Sequence, residues 1–311
     1  MRPLLIVPVL AYALALPARA QAPETGPLIL LLPASTRAMA LGNAWVAGRD
    51  EDVVFYNPAQ LIGARPGFNA SIARFGSAST LGSIASVYAA GPLSMTLGWG
   101  VQFVDFKTNP AAPYPYSPAM LAMPGAADAF SMEATAAGAM VYKGFRVGVA
   151  GKYASDRVAA ATSGGGPVWT RHDAFLGDVG LAHNLWTGVA GLAVQNIGRG
   201  WMDGAQRINV PLQTSLGWSA SKQAGELDLG IAGQVTARRG WISPGAGIEV
   251  GYGWIEGYSV ALRAGARRTE TNAEHPVAVG ASFNADRLTM EYALQFFDGG
   301  RNAHRMTIRW R

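Results

Sequence analysis

From residue 66 onward, apolar and polar residues alternate with a period of two over almost the whole chain. Leu93, Met95, Leu97, Trp99, Val101 and Phe103 form one set, while Ser94, Thr96, Gly98, Gly100 and Gln102 fill the positions between them. The rhythm returns in Phe145, Val147 and Val149, in Leu227, Leu229 and Ile231, in Tyr258, Val260 and Leu262, and in Met306, Ile308 and Trp310. Successive side chains of a strand point to opposite faces, so this alternation predicts strands with one apolar and one polar face. About fourteen such segments follow one another, each near the roughly 9 to 11 residues a tilted strand needs to cross a bilayer.

Period two does not by itself separate a soluble sandwich from a membrane barrel. Connection lengths do, because a membrane barrel has short turns at one rim and longer loops at the other. Tight turns are predicted near Gly91, Lys143-Gly144, His183-Asn184, 222–225, 253–257 and 284–286, and longer stretches near 105–128, 156–169, 198–207, 237–243 and 268–274. Tryptophans fall near these ends: Trp186, Trp218, Trp254 and Trp310 toward the tight turns, Trp169, Trp201 and Trp241 toward the other rim. That is the distribution of two interfacial girdles. The expected fold is all-β, a transmembrane antiparallel up-and-down barrel of about fourteen strands. Hydrocarbon offers no partner for backbone groups, so the last strand must pair with the first. On it Met306, Ile308 and Trp310 should face lipid, with Arg305 and Arg309 in the lumen.

Composition sharpens this reading. Charged residues make up 14% of the chain, there are 39 glycines, and there is no cysteine. Stability therefore comes from packing and backbone pairing without disulfides. Arg2, an apolar run from Leu4 to Leu16, and Ala18-Arg19-Ala20 read as an export signal over residues 1–20. Without Arg2 and Arg19 the 25 basic residues become 23 against 20 acidic ones, scattered rather than clustered, which does not imply nucleic acid. His172, His183, His275 and His304 show no metal spacing and no convincing Ser and acid beside them, so no catalytic residue, metal or cofactor is assigned.

Residues 34–62, ASTRAMALGNAWVAGRDEDVVFYNPAQLI, break the alternation. Arg37, Gly42, Asn43, the acidic run containing Asp50 and Asp52, and Asn57, Pro58 and Ala59 resemble the N-terminal region of the FadL and PorV/PorQ superfamily of outer-membrane barrels. Gln60-Leu61 stand where that family usually has Gly-Leu. The resemblance, taken to the PorV/PorQ branch, implies a fourteen-stranded barrel with residues 21–65 as a lumenal hatch and 66–311 as the barrel. It further implies an outer-membrane, non-enzymatic component linked to protein secretion, with membrane lipid and secreted proteins or secretion-machine subunits as partners. The alternative is a FadL-like transporter of small hydrophobic molecules such as fatty acids and aromatics. An open porin fits poorly with a plug and a lumen rich in alanine and glycine.

Strand parity places Arg146, Lys152, Asp178, Glu249, Arg263, Arg267, Glu291, Arg305 and Arg309 on the lumen side, because an Arg or Lys facing lipid at midplane costs about 2–4 kcal/mol. Arg37, Asp50, Glu51 and Asp52 are expected to pair with Arg263, Arg267, Arg305 and Arg309, with Asp52 opposite Arg263 as the pair to test. Tyr114, Tyr116, Met120 and Leu121, in an unusually apolar outer loop, are candidate ligand contacts.

Overall fold

The computed structural model describes residues 27–75, 79–91, 94–107, 126–162, 165–203, 206–269, 274–298 and 302–311. The proposed signal at 1–20 and the loop residues Tyr114, Tyr116, Met120 and Leu121 lie outside them. Among the described residues sixteen strands run in chain order: β1 (Gly67–Phe75), β2 (Ser79–Ala90), β3 (Met95–Lys107), β4 (Ala126–Tyr142), β5 (Phe145–Thr162), β6 (Gly165–Leu185), β7 (Gly188–Gly198), β8 (Trp201–Asp203), β9 (Gln206–Ile208), β10 (Gln213–Ala224), β11 (Leu227–Arg238), β12 (Trp241–Ile255), β13 (Tyr258–Arg267), β14 (Glu274–Ala285), β15 (Leu288–Phe297) and β16 (Ala303–Trp310). Fourteen of them close into an antiparallel barrel, and β8 and β9 form a separate small hairpin between β7 and β10.

Closure is as the alternation requires. β16 pairs with β15 on one side and β1 on the other, with Asn69 opposite Arg309, Ser71 opposite Thr307 and Ala73 opposite Arg305 across the seam. Met306, Ile308 and Trp310 are each more than half exposed on the outside, whereas Arg305 and Arg309 are buried inside. The apolar face is thus turned to lipid and the ladder has no open edge, which satisfies the backbone where water is absent.

The turns at one rim match the expected short connections. Lys143-Gly144 and Glu256-Gly257 join adjacent strands there, with Gly144 and Gly257 at positive φ. Two stretches read as long loops are different. β5 runs to Thr162 and β6 starts at Gly165, so 156–169 is largely strand; β11 and β12 are joined by Arg239-Gly240 alone, so 237–243 is a tight hairpin. The backbone keeps pairing through both stretches. Trp241 also departs from the girdle reading. It is buried, with the Arg268 guanidinium 4.1 Å from its ring centre. Trp186, Trp254, Trp310 and Trp169 are exposed on the outer face, as a girdle requires.

The described residues before β1 fill the lumen. They comprise short 3-10 turns at Leu28–Leu30, Glu51–Phe55 and Pro58–Gly63, and one helical turn, α1 (Thr36–Ala40), whose N-cap Ser35 accepts from the Ala38 N–H. No described helix is long and apolar enough to cross a membrane.

Candidate functional site: the hatch and its lumen

The hatch can be this compact because of where its turns fall. Asn57 accepts from the Ala59 N–H through Oδ1 and donates to the Val46 carbonyl at 2.8 Å, while Pro58 supplies the fixed φ of the next 3-10 turn. The Tyr56 hydroxyl donates to Asn43 Oδ1 at 3.1 Å and accepts from the Ala34 N–H at 2.9 Å, tying the start, middle and end of the segment together. Burial pushes that hydroxyl up to about 12. Gly42 has φ +65, and a methyl group there would lie 2.8 Å from the Ala246 carbonyl oxygen on β12.

Inward-facing glycines give the hatch its seat. A side chain at Gly148 would meet Pro58 O at 2.7 Å, one at Gly98 would meet Leu61, and one at Gly217 would meet Val46. Part of the high glycine content is thereby explained: these strands forgo side chains at the level where the plug presses on them. Glutamines hold the hatch backbone between these points. Gln234 accepts from the N–H groups of Trp45 and Val46 at 2.9 and 2.7 Å, Gln195 donates to Phe55 O at 2.7 Å, and Gln102 donates to Ile29 O at 3.2 Å.

Charge concentrates between the hatch and β12–β16. Arg309 Nη1 lies 2.9 Å from both Asp50 and Glu51, and its Nη2 lies 2.9 Å from Glu291 and 3.4 Å from Asp52. Arg37 reaches Asp50 at 3.0 Å and Glu249 at 2.5 Å, Glu249 pairs with Arg263, and Arg263 lies 3.3 Å from Glu291. Arg311 adds contacts of 2.8 Å to Asp50 and 3.2 Å to Glu51. Burial alone would raise the Asp50 carboxyl, but Arg309, Arg37 and Arg311 hold it well below the usual range. Asp52 goes the other way. Burial raises it to about 6, and Glu51 and Glu291 add to the rise against Arg309 and Arg305.

The expected pairings are thus redistributed. Arg309 takes the acidic run. Asp52 meets Asn69 and Arg309, not Arg263, so the pair Asp52/Arg263 is corrected: Arg263 is held by Glu249 and Glu291 on its own wall. Arg267 pairs with Glu274 on β14, and Arg305 donates to the carbonyls of Pro33 and Ala34 and to the hydroxyls of Ser71 and Ser83. Lys152 and Asp178 are also buried inside. Lys152 lies 2.9 Å from Asp178 and 3.2 Å from Glu133, a partner that alternation alone did not single out. Arg146 donates to Gln60 at 3.2 Å and to Asn184 at 2.8 Å near the turn rim.

Toward the loop rim the lining changes character. Ile29, Leu30 and Leu32 pack on inward-facing Ala73, Leu81, Val104, Ala129, Ala154 and Phe297, forming a buried apolar cluster at that end of the lumen. The signal was available on β3, where the inward set passes from Gln102 to Val104. In the same half of the barrel the ladder between β6 and β7 shifts register between Gly177 and Val179. Asp178 there accepts from the Asn196 N–H at 2.8 Å, and Asn196 has φ +60.

No family model matches the chain, and no curated protein matches it in sequence. Solved structures do. The toluene transporter TbuX of Ralstonia pickettii aligns with TM-score 0.54 and 13% identity over 89% of this chain and 98% of that one. A FadL homologue of Pseudomonas aeruginosa gives 0.53 and 11% over 94% and 99%. The fold is that of the FadL-type barrels. The toluene transporter TodX of Pseudomonas putida shares it as well, at TM-score 0.56 and 10% identity over 92% and 98%. TbuX and TodX are both described as toluene transporters. Among the described residues no group of three His, Asp or Glu side chains is placed to hold a metal.

Proposed function

We propose that this barrel passes small hydrophobic molecules across the outer membrane, with residues 1–20 directing export and residues 21–65 forming the hatch. The observation that carries the reading is the apolar lining at the loop end of the lumen, where Leu81, Val104 and Phe297 pack with the hatch residues Ile29, Leu30 and Leu32. A water-filled pore for polar solutes would line that level with polar groups, whereas an apolar ligand gains free energy there at roughly 25 cal/mol for each Å² removed from water. The fold shared with structures described as toluene transporters supports the same substrate class. Both termini and the short turns would then face the periplasm.

The hatch fills the axial route, so the interrupted ladder at Asp178 and Asn196 is the favoured exit through the wall. Uptake of radiolabelled toluene and of a fatty acid into vesicles holding the purified barrel tests the function. Accumulation above protein-free vesicles supports it, and Val104→Lys should abolish that accumulation. A barrel that transports neither, yet retains an exported protein in pull-downs from intact outer membrane, would instead establish the secretion-linked role implied by the resemblance at residues 34–62.

A further inference from the structure

The seam between β1 and β16 is not held by its ladder alone. Asn69 on β1 and Arg309 on β16 face each other across it, and hatch residue Asp52 bonds to both, accepting from Asn69 Nδ2 at 2.7 Å and lying 3.4 Å from Arg309 Nη2. One step along, Ser71 faces Thr307, and the Thr307 hydroxyl lies 2.5 Å from that of Thr36 in α1. A further step along, Arg305 links Ser71 on β1 and Ser83 on β2 to the hatch carbonyls of Pro33 and Ala34. The inward side chains Arg305, Thr307 and Arg309 of the closing strand therefore all end on the hatch.

Two other features bear on the order of events. The last 3-10 turn of the hatch ends at Gly63 and β1 begins at Gly67, so the plug sits beside the strand that must find its partner at the far end of the chain. The hatch touches the wall closely, with no room for a methyl group at Gly148 or Gly217, so a folded plug fits too tightly at those points to slide into a finished cylinder.

We propose that the hatch is the template on which the barrel closes: it seats against the open sheet first, and β16 then docks on Asp52, Thr36 and the carbonyls of Pro33 and Ala34 to complete the seam. The chain's two ends would thus be brought together by a surface rather than by a search for a bare strand edge, which shortens the slowest long-range pairing.

Refolding of the full chain from urea into phosphatidylcholine vesicles, followed by the heat-modifiable band on gels, tests this without reference to transport. Arg305→Met and the milder Thr36→Val are expected to slow folding, about tenfold for Arg305→Met, while leaving unfolding nearly unchanged, because their contacts are already made when the seam closes. Normal folding rates with faster unfolding would overturn the proposal. Pulsed hydrogen exchange on the wild-type chain gives a second reading that does not depend on any variant folding. Amides of residues 36–60 should become protected no later than those of β16, and protection of β16 first would overturn the proposal equally.

Discussion

The hatch meets the barrel in two chemically different ways. Against β12–β16 it is held by guanidinium groups and carboxylates, with Arg309 touching Asp50, Glu51 and Asp52 at once. On the wall away from the seam it is held chiefly by neutral amides and by close backbone approach, as at Gln195, Gln234 and Gly148, and the ion pairs of Lys152 stay within the wall. The difference follows from what each contact does when half of it is removed. A buried charge deprived of its partner is costly, whereas an amide at the edge of a polar cavity can turn to solvent. The ionic side therefore fixes the position of the plug, and the neutral side is the one that can yield.

The largest effect should come from Arg309→Ala. It leaves Asp50, Glu51, Asp52 and Glu291 facing one another in a buried space and should cost about 3–5 kcal/mol in urea unfolding of the vesicle-inserted barrel. A loss below 1 kcal/mol would erase the contrast between the two sides. Gly148→Val comes next, at about 1–3 kcal/mol, because its side chain would overlap Pro58; Gly151→Val, where a Cβ meets nothing within 4 Å, should be nearly silent in the same assay. Gln234→Ala should cost about 1 kcal/mol, since water in the adjoining polar cavity can take over the N–H groups of Trp45 and Val46.

The last expected effect is a pH dependence arising on the ionic side. The Asp52 carboxyl binds its proton more tightly in the folded barrel than in the unfolded chain, so its contribution is full below about pH 4 and is lost as pH rises to about 6. Asp50 has the opposite sign: its contribution is present above about pH 4 and is lost as pH falls below that. Urea midpoints measured from pH 4 to 7 should therefore decline in the wild type relative to Asp52→Asn. An identical profile in the two proteins would remove Asp52 as the source.

Much of this architecture was legible in the alternation, and for a physical reason. Lipid outside and a polar lumen inside impose period two on every strand, and Met306 to Trp310 obey it without exception. Partner choice was less legible. Arg305, Arg267 and Arg309 share the inward parity, yet one ends on carbonyls, one on Glu274 and one on the acidic run, because register and the path of the hatch decide which acceptor is within reach. The seats at Gly98, Gly148 and Gly217 showed in composition only as an excess of glycine, whose meaning required knowing what presses on each one. At 156–169 and 237–243 the error ran the other way, since pairing continues past the residues that suggested loops.

β4, β5 and β6 contain 17, 18 and 21 residues, against 8 in β16. At about 3.3 Å per residue the surplus over a bilayer-spanning strand raises that arc of the wall by roughly 20 Å or more before tilt is taken into account. The barrel consequently has a high shoulder on one flank and a low lip on the other. Whatever approaches that rim, whether an antibody, a phage tail or a neighbouring glycan, would touch the shoulder before the lip.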